Sequence, residues 1–359
     1  MHGALYTRAA RVPLQPLPTM ASVLLAAVAC SANAQVPSTM KHVIAEGHPC
    51  KTPFACIGVV ATKTPKPTVG EILVKMSSAS VNPSDLDTEE SLGRLEGTLG
   101  VDIAGDVVEV GPGVHGLAVG DRVWGVTKGS YAEFALVGAS QTGLVPPGLN
   151  MSAAGTIPEV GSTSLQCLYQ CGARNGGWKG KNLTVVITSG TGGTGFIAVQ
   201  LAKALGAGHI ITSTTGAANI AFARSLGADQ VFDYKVQDIF DEGALKNNSV
   251  DIVYDNYGAV GTADKAMPTM REGGTFLLLP GGEHGALSKH PKHGVKQIDF
   301  GIMDVLVEKK DIDTLSQLYI AGLWRPYVDP RSPFTLDEVD KAFSLSATGT
   351  VVGKIAITP

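Results

Sequence analysis

The chain has 359 residues, a length that favours two domains over one or three. Its residues are 44% apolar and 17% charged, so a core can be buried and global disorder is excluded. Lys plus Arg (28) against Asp plus Glu (32) leaves a net charge of −4, without the basic excess of a nucleic-acid-binding surface.

The first acid in the chain is Glu46. Arg8 and Arg11 precede the apolar run Ala21–Cys30, and Ala32-Asn33-Ala34 then offers a small-x-small cleavage pattern. Residues 1–39 therefore read as a leader, secretory or organelle-targeting. The alternatives are an N-terminal extension of a cytosolic protein, or a start at Met20 or Met40. The run is short of the roughly 20 residues a membrane-spanning helix needs, and no other apolar stretch reaches that length.

From Lys41 to about Val145 the pattern is strand-like, with Ile72–Lys75 and Val107–Val110 as apolar runs, Gly111-Pro112-Gly113 as a turn, and Gly120–Gly125 as a turn leading into a strand. Near Ser152 the period changes, and Ala153–Cys171 is helical in composition. Cys167 and Cys171 lie four apart on one face of that helix and are expected to be buried free thiols; no C-x-x-C pair is present. Strands and helices then alternate. The strands are Leu183–Thr188, His209–Ser213, Val231–Tyr234, Val250–Asp255 and Thr275–Leu279. The intervening helices are Gly195–Leu205 and Asn219–Leu226. Such alternation implies a parallel sheet covered on both faces. Further on, Asp299–Gly322 and Leu336–Leu345 are expected to be helical, and Val351–Ile357 a last strand.

Gly190-Thr191-Gly192-Gly193-Thr194-Gly195 fits G-x-G-x-x-G between a predicted strand and a predicted helix, with Ser189 leading into it. Bare main chain there can approach a pyrophosphate, the last glycine lets helix and strand pack closely, and the helix dipole receives the negative charge. This is a dinucleotide signature. The second strand ends in Thr212-Ser213-Thr214-Thr215-Gly216, without the acid that an NAD site uses for its ribose hydroxyls. Ser213, Thr214 and Thr215 could receive a 2′-phosphate, so NADPH is expected rather than NADH.

Several ordered landmarks carry a family resemblance: Val81-Asn82-Pro83-Ser84-Asp85, Gly100-Val101-Asp102-Ile103-Ala104-Gly105, Val119–Val123, Gly129–Glu133, the glycine loop followed by Ala198–Lys203, and Ser225–Asp229. On these the chain resembles the medium-chain dehydrogenase/reductase superfamily, specifically its zinc-free quinone oxidoreductase and enoyl reductase branch, plant chloroplast-envelope members included. The resemblance implies an α/β fold. A GroES-like β-dominated catalytic domain (40–162, resumed at 298–359) would be interrupted by a Rossmann domain with a doubly wound parallel sheet (163–297). It also implies a small carbonyl or quinone substrate and, in many members, a homodimer paired through the Rossmann sheet edge.

Zinc alcohol dehydrogenases of the superfamily carry a ligand Cys where Asn82 stands and a ligand His where Val101 stands; neither residue here is a useful zinc ligand. His284, His290 and His293 read as a solvated loop rather than a metal site. The expected chemistry is therefore metal-free hydride addition to an activated C=C bond or a quinone. Donors must then meet charge on the carbonyl oxygen, and a proton must reach the α carbon. Asn82 is the polar candidate beside the substrate, against a plain turn-capping role before Pro83. The resemblance adds Thr163 near the nicotinamide, Asn256 and Gly258 on the coenzyme, and Leu279 and Gly281 lining the nicotinamide pocket. It also adds Tyr234 near the adenosine phosphate, with Asn219 where the family has a Lys. Enoyl thioester reductases of the branch use a Tyr shortly after the Asn-Pro-Ser-Asp segment; Thr88–Gly93 has none. An enoyl thioester reductase and a non-catalytic NADPH-binding sensor stand as the alternatives.

Overall fold

Two apolar periodicities sort the chain into two sheets. The computed structural model describes residues 36–45, 54–85, 99–280, 285–301 and 305–359, of which Val36–Pro359 forms one compact unit. Residues 1–35 of the expected leader, Cys30 included, lie outside the described residues, as do Cys50, Thr88–Gly93, Gly281 and His284.

β1 (Thr39–Ala45) and β2 (Ile57–Lys63) pair antiparallel as a separate ribbon. β3 (Glu71–Ser80), β4 (Asp102–Val110), β5 (Arg122–Val126), β6 (Phe134–Gly138) and β7 (Thr142–Leu144) build most of the first of the two large sheets. β3 is its spine, buried along most of its length and pairing with both β4 and β6. Gly105 is required where β4 crosses β3, because a Cβ there would collide with the Lys75 carbonyl.

The predicted helix Ala153–Cys171 is in fact three pieces: α1 (Met151–Ala154), α2 (Pro158–Leu168) and a π-type turn at Tyr169–Ala173. The break falls at Gly155, which is pressed against Ser78 of β3, and Pro158 then starts α2 as a first-turn proline. Cys167 and Cys171 are buried free thiols, and burial pushes the Cys167 thiol up to about 12. Cys56 is disulfide-bonded.

β8 (Thr184–Ile187), α3 (Gly195–Leu205), β9 (His209–Thr214), α4 (Ala217–Ser225), β10 (Gln230–Asp233), β11 (Val250–Asp255), α5 (Thr262–Ala266), β12 (Met270–Leu278) and β13 (Lys296–Asp299) follow in chain order. Their six strands form one parallel sheet in the order β10-β9-β8-β11-β12-β13. Central strands read as continuous apolar runs because both faces are covered; β11 is buried at every residue but Asp251. α3 is buried from Gly195 through Ala202 and ends on Gly206, whose φ of 101° closes the last turn.

The helix expected from Asp299 starts only at Lys309: Asp299 ends β13, and α6 (Lys309–Ile320) is opened by a Glu308/Asp311 capping box. Of the expected helix only Asp299 is taken by strand pairing, opposite Leu278 of β12. β14 (Phe334–Thr335), α7 (Val339–Ala347) and β15 (Ala356–Thr358) return the chain to the first sheet, β15 pairing with β3. The expected strand Val351–Ile357 is therefore regular only at its end. Before it, Gly353 turns at φ 69°, and a Cβ there would strike the Tyr327 carbonyl, so the position requires glycine. The largest core cluster joins Trp124 and Val126 of β5 to Ile187 of β8 and Phe196 of α3, while Ile72 and Val107 of the first sheet and Val253 and Phe276 of the parallel sheet belong to separate clusters. Among the described residues no helix is long and apolar enough to cross a membrane.

Candidate active site

β8 feeds β9 and β10 on one side, while β11, β12 and β13 continue on the other. The carboxyl ends of β8 and β11 therefore border a topological switch point, the place where open parallel sheets leave a crevice for ligands. The glycine loop leaves β8 there. Ser189 stands in the left-handed region at φ 51°, and Gly192 N donates to Ser189 O at 3.0 Å. A Cβ on Gly190 would collide with Thr212 Oγ1, and one on Gly195 would collide with the Ser189 carbonyl. The loop is thus a cradle of main chain drawn tight against β9, leading straight into the buried N-terminus of α3. Thr194 sits at the helix start, its hydroxyl 3.4 Å from Asn256 Oδ1.

Across the crevice, Asn256 Nδ2 donates to Thr188 O at 2.5 Å. Thr188 Oγ1 donates to Asp255 Oδ1 at 2.7 Å, and Gly258 N donates to the same carboxylate oxygen at 3.1 Å. Burial raises the Asp255 carboxyl above its ordinary value, and its Oδ2 has no partner among the described residues. Leu279 follows β12, its N–H on Asp255 O at 2.9 Å. Thr194, Asn256, Gly258 and Leu279 are therefore brought together at one edge of the sheet.

The other end of this crevice lies at β9 and β10. Ser213 Oγ accepts from Ser189 N at 3.2 Å, and the Thr214 and Thr191 hydroxyls meet at 2.6 Å. Asn219 Nδ2 donates to Thr215 O at 3.0 Å, and Tyr234 N to Thr214 O at 3.0 Å, with the Tyr234 ring exposed. The reading of this end as acid-free holds along β9 but not across the sheet. Parallel pairing sets Asp233 of β10 opposite Thr214, and its carboxylate accepts from Gly216 N at 3.1 Å. Hydrogen bonds from the Gly216 amide and the Thr215 hydroxyl hold the Asp233 carboxyl below its ordinary value. Reading along one strand missed a group delivered by its neighbour.

A second cluster is assembled from the first sheet. Asn82, just past β3, is 4% exposed. Its Nδ2 donates to Asp102 Oδ2 at 2.8 Å, and its Oδ1 accepts from Lys354 Nζ at 2.6 Å. Lys354 Nζ also donates to Val81 O at 2.7 Å. Asp102 further accepts from Ser80 Oγ at 2.6 Å and, through Oδ1, from Glu159 N in the first turn of α2 at 2.7 Å. Thr163 lies one turn along that helix, buried. Asp85 accepts from Asn82 N at 2.8 Å and from the Tyr131 hydroxyl at 2.6 Å. Burial lifts the Asp85 carboxyl to about 6 and lowers the Lys354 ammonium below its ordinary value. Tyr131 is fully buried against Phe343, so it serves this network rather than an open cleft. Val101 is a core residue. His290 and His293 sit on a loop, His293 exposed, and no group of three potential metal ligands occurs among the described residues.

Lys354 and Asp102 were not singled out from the sequence. Their signals are a lone charge inside the apolar run Val351–Ile357 and an acid heading a strand between Gly100 and Gly105.

A six-stranded parallel sheet with a glycine cradle at its switch point, beside a β sheet that the C-terminus rejoins, defines a nucleotide-dependent oxidoreductase architecture. Two family models match, one described as "Alcohol dehydrogenase GroES-like domain" over residues 68–147 and one as "Zinc-binding dehydrogenase" over residues 226–357. The chain is 30% identical to the chloroplast envelope quinone oxidoreductase homolog of Arabidopsis thaliana, over 84% of this chain and 93% of the relative. It is 28% identical to the NADPH-dependent alkenal/one oxidoreductase, chloroplastic, of the same plant, over 93% of this chain and 83% of the relative. The crystal structure of Escherichia coli quinone oxidoreductase complexed with NADPH superposes with a TM-score of 0.75 at 21% identity, covering 89% of this chain and all of that one. The chain belongs to the medium-chain dehydrogenase/reductase superfamily, in its zinc-free quinone oxidoreductase-like branch.

Proposed function

We propose that this protein is an NADPH-dependent, zinc-independent reductase of quinones or α,β-unsaturated carbonyls. The observation that carries the reading is the pairing of a main-chain cradle at the switch point with an Asn82 side chain tied to Asp102 and Lys354, where zinc members of the superfamily place a ligand. Relatives named for quinones and for NADPH-dependent alkenal/one reduction support it.

Ser189, Gly190, Gly192, Gly193, Thr194 and Gly195 would hold the pyrophosphate, whose charge α3 receives at its N-terminus. Ser213, Thr214, Thr215, Asn219 and Tyr234 would border the adenosine phosphate, and Asn256, Gly258, Leu279 and Gly281 the nicotinamide. The bound coenzyme supplies a hydride for the substrate carbon β to the carbonyl. Charge then gathers on the substrate oxygen, and preorganised N–H and O–H donors are what lower that barrier. Asn82 Nδ2 commits one N–H to Asp102, so its second is the one to offer an oxygen; Thr163 on α2 is the second catalytic candidate. The α-carbon proton comes from solvent on this reading. Residues 40–162 with 298–359 would form the catalytic domain and 163–297 the coenzyme domain. Residues 1–39 would be an organelle address, as the chloroplastic relatives support, and the protein would pair as a homodimer through an edge of the parallel sheet.

The test follows NADPH oxidation against a panel of quinones, alkenals, enones and acyl thioesters. Turnover of quinones or free enones is expected. Preference for acyl thioesters would move the protein to the enoyl reductases, and tight NADPH binding without any turnover would make it a sensor. Thermal-shift titrations with NADPH and NADH decide the coenzyme. Because Asp233 occupies the donors beside Thr214, Asp233→Asn is expected to tighten NADPH by about twofold to fivefold while leaving NADH unchanged.

A further inference from the structure

Lys354 is 3% exposed, which is unusual for a lysine, and nothing in the hydride chemistry above employs it. Its surroundings are specific. The ammonium donates to Asn82 Oδ1 at 2.6 Å and to Val81 O at 2.7 Å. Its stem passes the dinucleotide loop: a Cβ added to Gly193 would lie 3.3 Å from Lys354 Cδ. The preceding residue is tied to the same loop, Gly353 N donating to Thr191 O at 2.8 Å. One two-residue segment of the C-terminus therefore touches both the coenzyme cradle and the candidate catalytic amide.

A carboxamide can be turned over with almost no change of shape, exchanging its oxygen and nitrogen. Lys354 and Asp102 remove that freedom. An ammonium has only hydrogens to give and a carboxylate only lone pairs, so Asn82 must present Oδ1 to Lys354 and Nδ2 to Asp102. Turned over, both contacts would be repulsive inside a buried site. The cost of burying the cation is offset by the carboxylates of Asp102, Asp85 and Glu159, all close enough to favour its charge.

We propose that Lys354 is a positioning residue: it fixes the orientation of the Asn82 carboxamide and couples that orientation to the dinucleotide loop through Gly353–Thr191. The proposal rests on the reductase reading, because the orientation matters only if the Asn82 N–H meets a substrate oxygen.

The experiment is a double-mutant cycle of Lys354→Met, which keeps the stem and removes the ammonium, with Asn82→Ala. Each protein is measured for melting temperature without coenzyme, for NADPH affinity, and for kcat and KM with an enone or quinone that the wild type reduces. Lys354→Met is expected to lower kcat about tenfold to a hundredfold, while NADPH affinity and substrate KM stay within about threefold. The double variant should be no slower than the worse single variant, and its melting temperature should fall by less than the two single shifts added together. Loss of NADPH affinity with kcat retained would place Lys354 on the coenzyme instead and overturn the proposal. A lowered melting temperature with kcat retained below it would reduce Lys354 to a structural role, with the same consequence. Where Lys354→Met fails to fold, Lys354→Gln, which keeps a shorter N–H donor, takes its place in the cycle. A wild type that binds NADPH yet reduces nothing sinks the reductase reading; the melting cycle then still reads the Lys354–Asn82 coupling, and additive shifts overturn it.

Discussion

The glycine loop and the Asn82 cluster sit in one molecule but are built on opposite plans. The loop is seven consecutive residues, Ser189–Gly195, whose working surface is main chain. The cluster draws Ser80, Asn82, Asp102 and Lys354 from three distant stretches, and its working surface is side chain. The first leaves no room for a Cβ at Gly190 and Gly195 and therefore needs glycine there. The second encloses charges and therefore needs partners for each of them. A site of the first kind is punished by adding atoms, and a site of the second kind by removing them.

That contrast can be broken, beginning with the largest effect. Asp102→Ala takes away the acceptor for Ser80, Asn82 and the first turn of α2, and leaves the Lys354 cation without one of its carboxylates. Breaking a buried charged network costs about 3–5 kcal/mol, to be read by denaturant unfolding. An unchanged midpoint would mean that the cluster is not under tension.

Asp85→Asn should act in the opposite sense. Burial raises the folded-state carboxyl from 3.8 to about 6, so the native protein holds this proton more tightly than the unfolded chain does. The group's contribution is therefore most favourable below about pH 4 and is lost as pH rises through about 6. Asparagine carries no charge to desolvate. The variant is expected to exceed the wild type by on the order of 2–3 kcal/mol above pH 6, with the gap closing toward pH 4. Melting temperatures of both proteins across that range check it, and a gap independent of pH would refute the assignment.

The loop yields the smallest change in stability but a sharp change in binding. Gly195→Ala places a methyl group on the Ser189 carbonyl, a backbone atom that cannot swing aside. Overpacking of this kind costs about 1–3 kcal/mol, and NADPH binding should weaken with it, as a fluorescence titration would show. Thermal melts that fall while NADPH binds normally would separate the cradle from the coenzyme.

Legibility followed the same division. The bounds of α3 and of β11 stand where apolar periodicity sets them, because a local pattern of burial is written in local residues. The helix expected from Asp299 stands from Lys309 to Ile320; its start was misplaced because Asp299 pairs with β12 and the Glu308/Asp311 capping box sets the first turn. The acid beside the end of β9 was overlooked for a related reason: Asp233 reaches Gly216 only because β10 lies beside β9 in parallel register.

The amino-acid order alone determined the glycine cradle and the alternation that makes a parallel sheet, since each depends on which residue types stand next to one another; Asn82 and Val101 in place of zinc ligands is what the family resemblance implies. Only the tertiary structure decided that Lys354 would meet Asn82 and that Trp124 of the first sheet would share a core cluster with Ile187 of the parallel one. Hydrogen bonds between side chains far apart in sequence exist only once the intervening chain has folded, and no local pattern records where it returns.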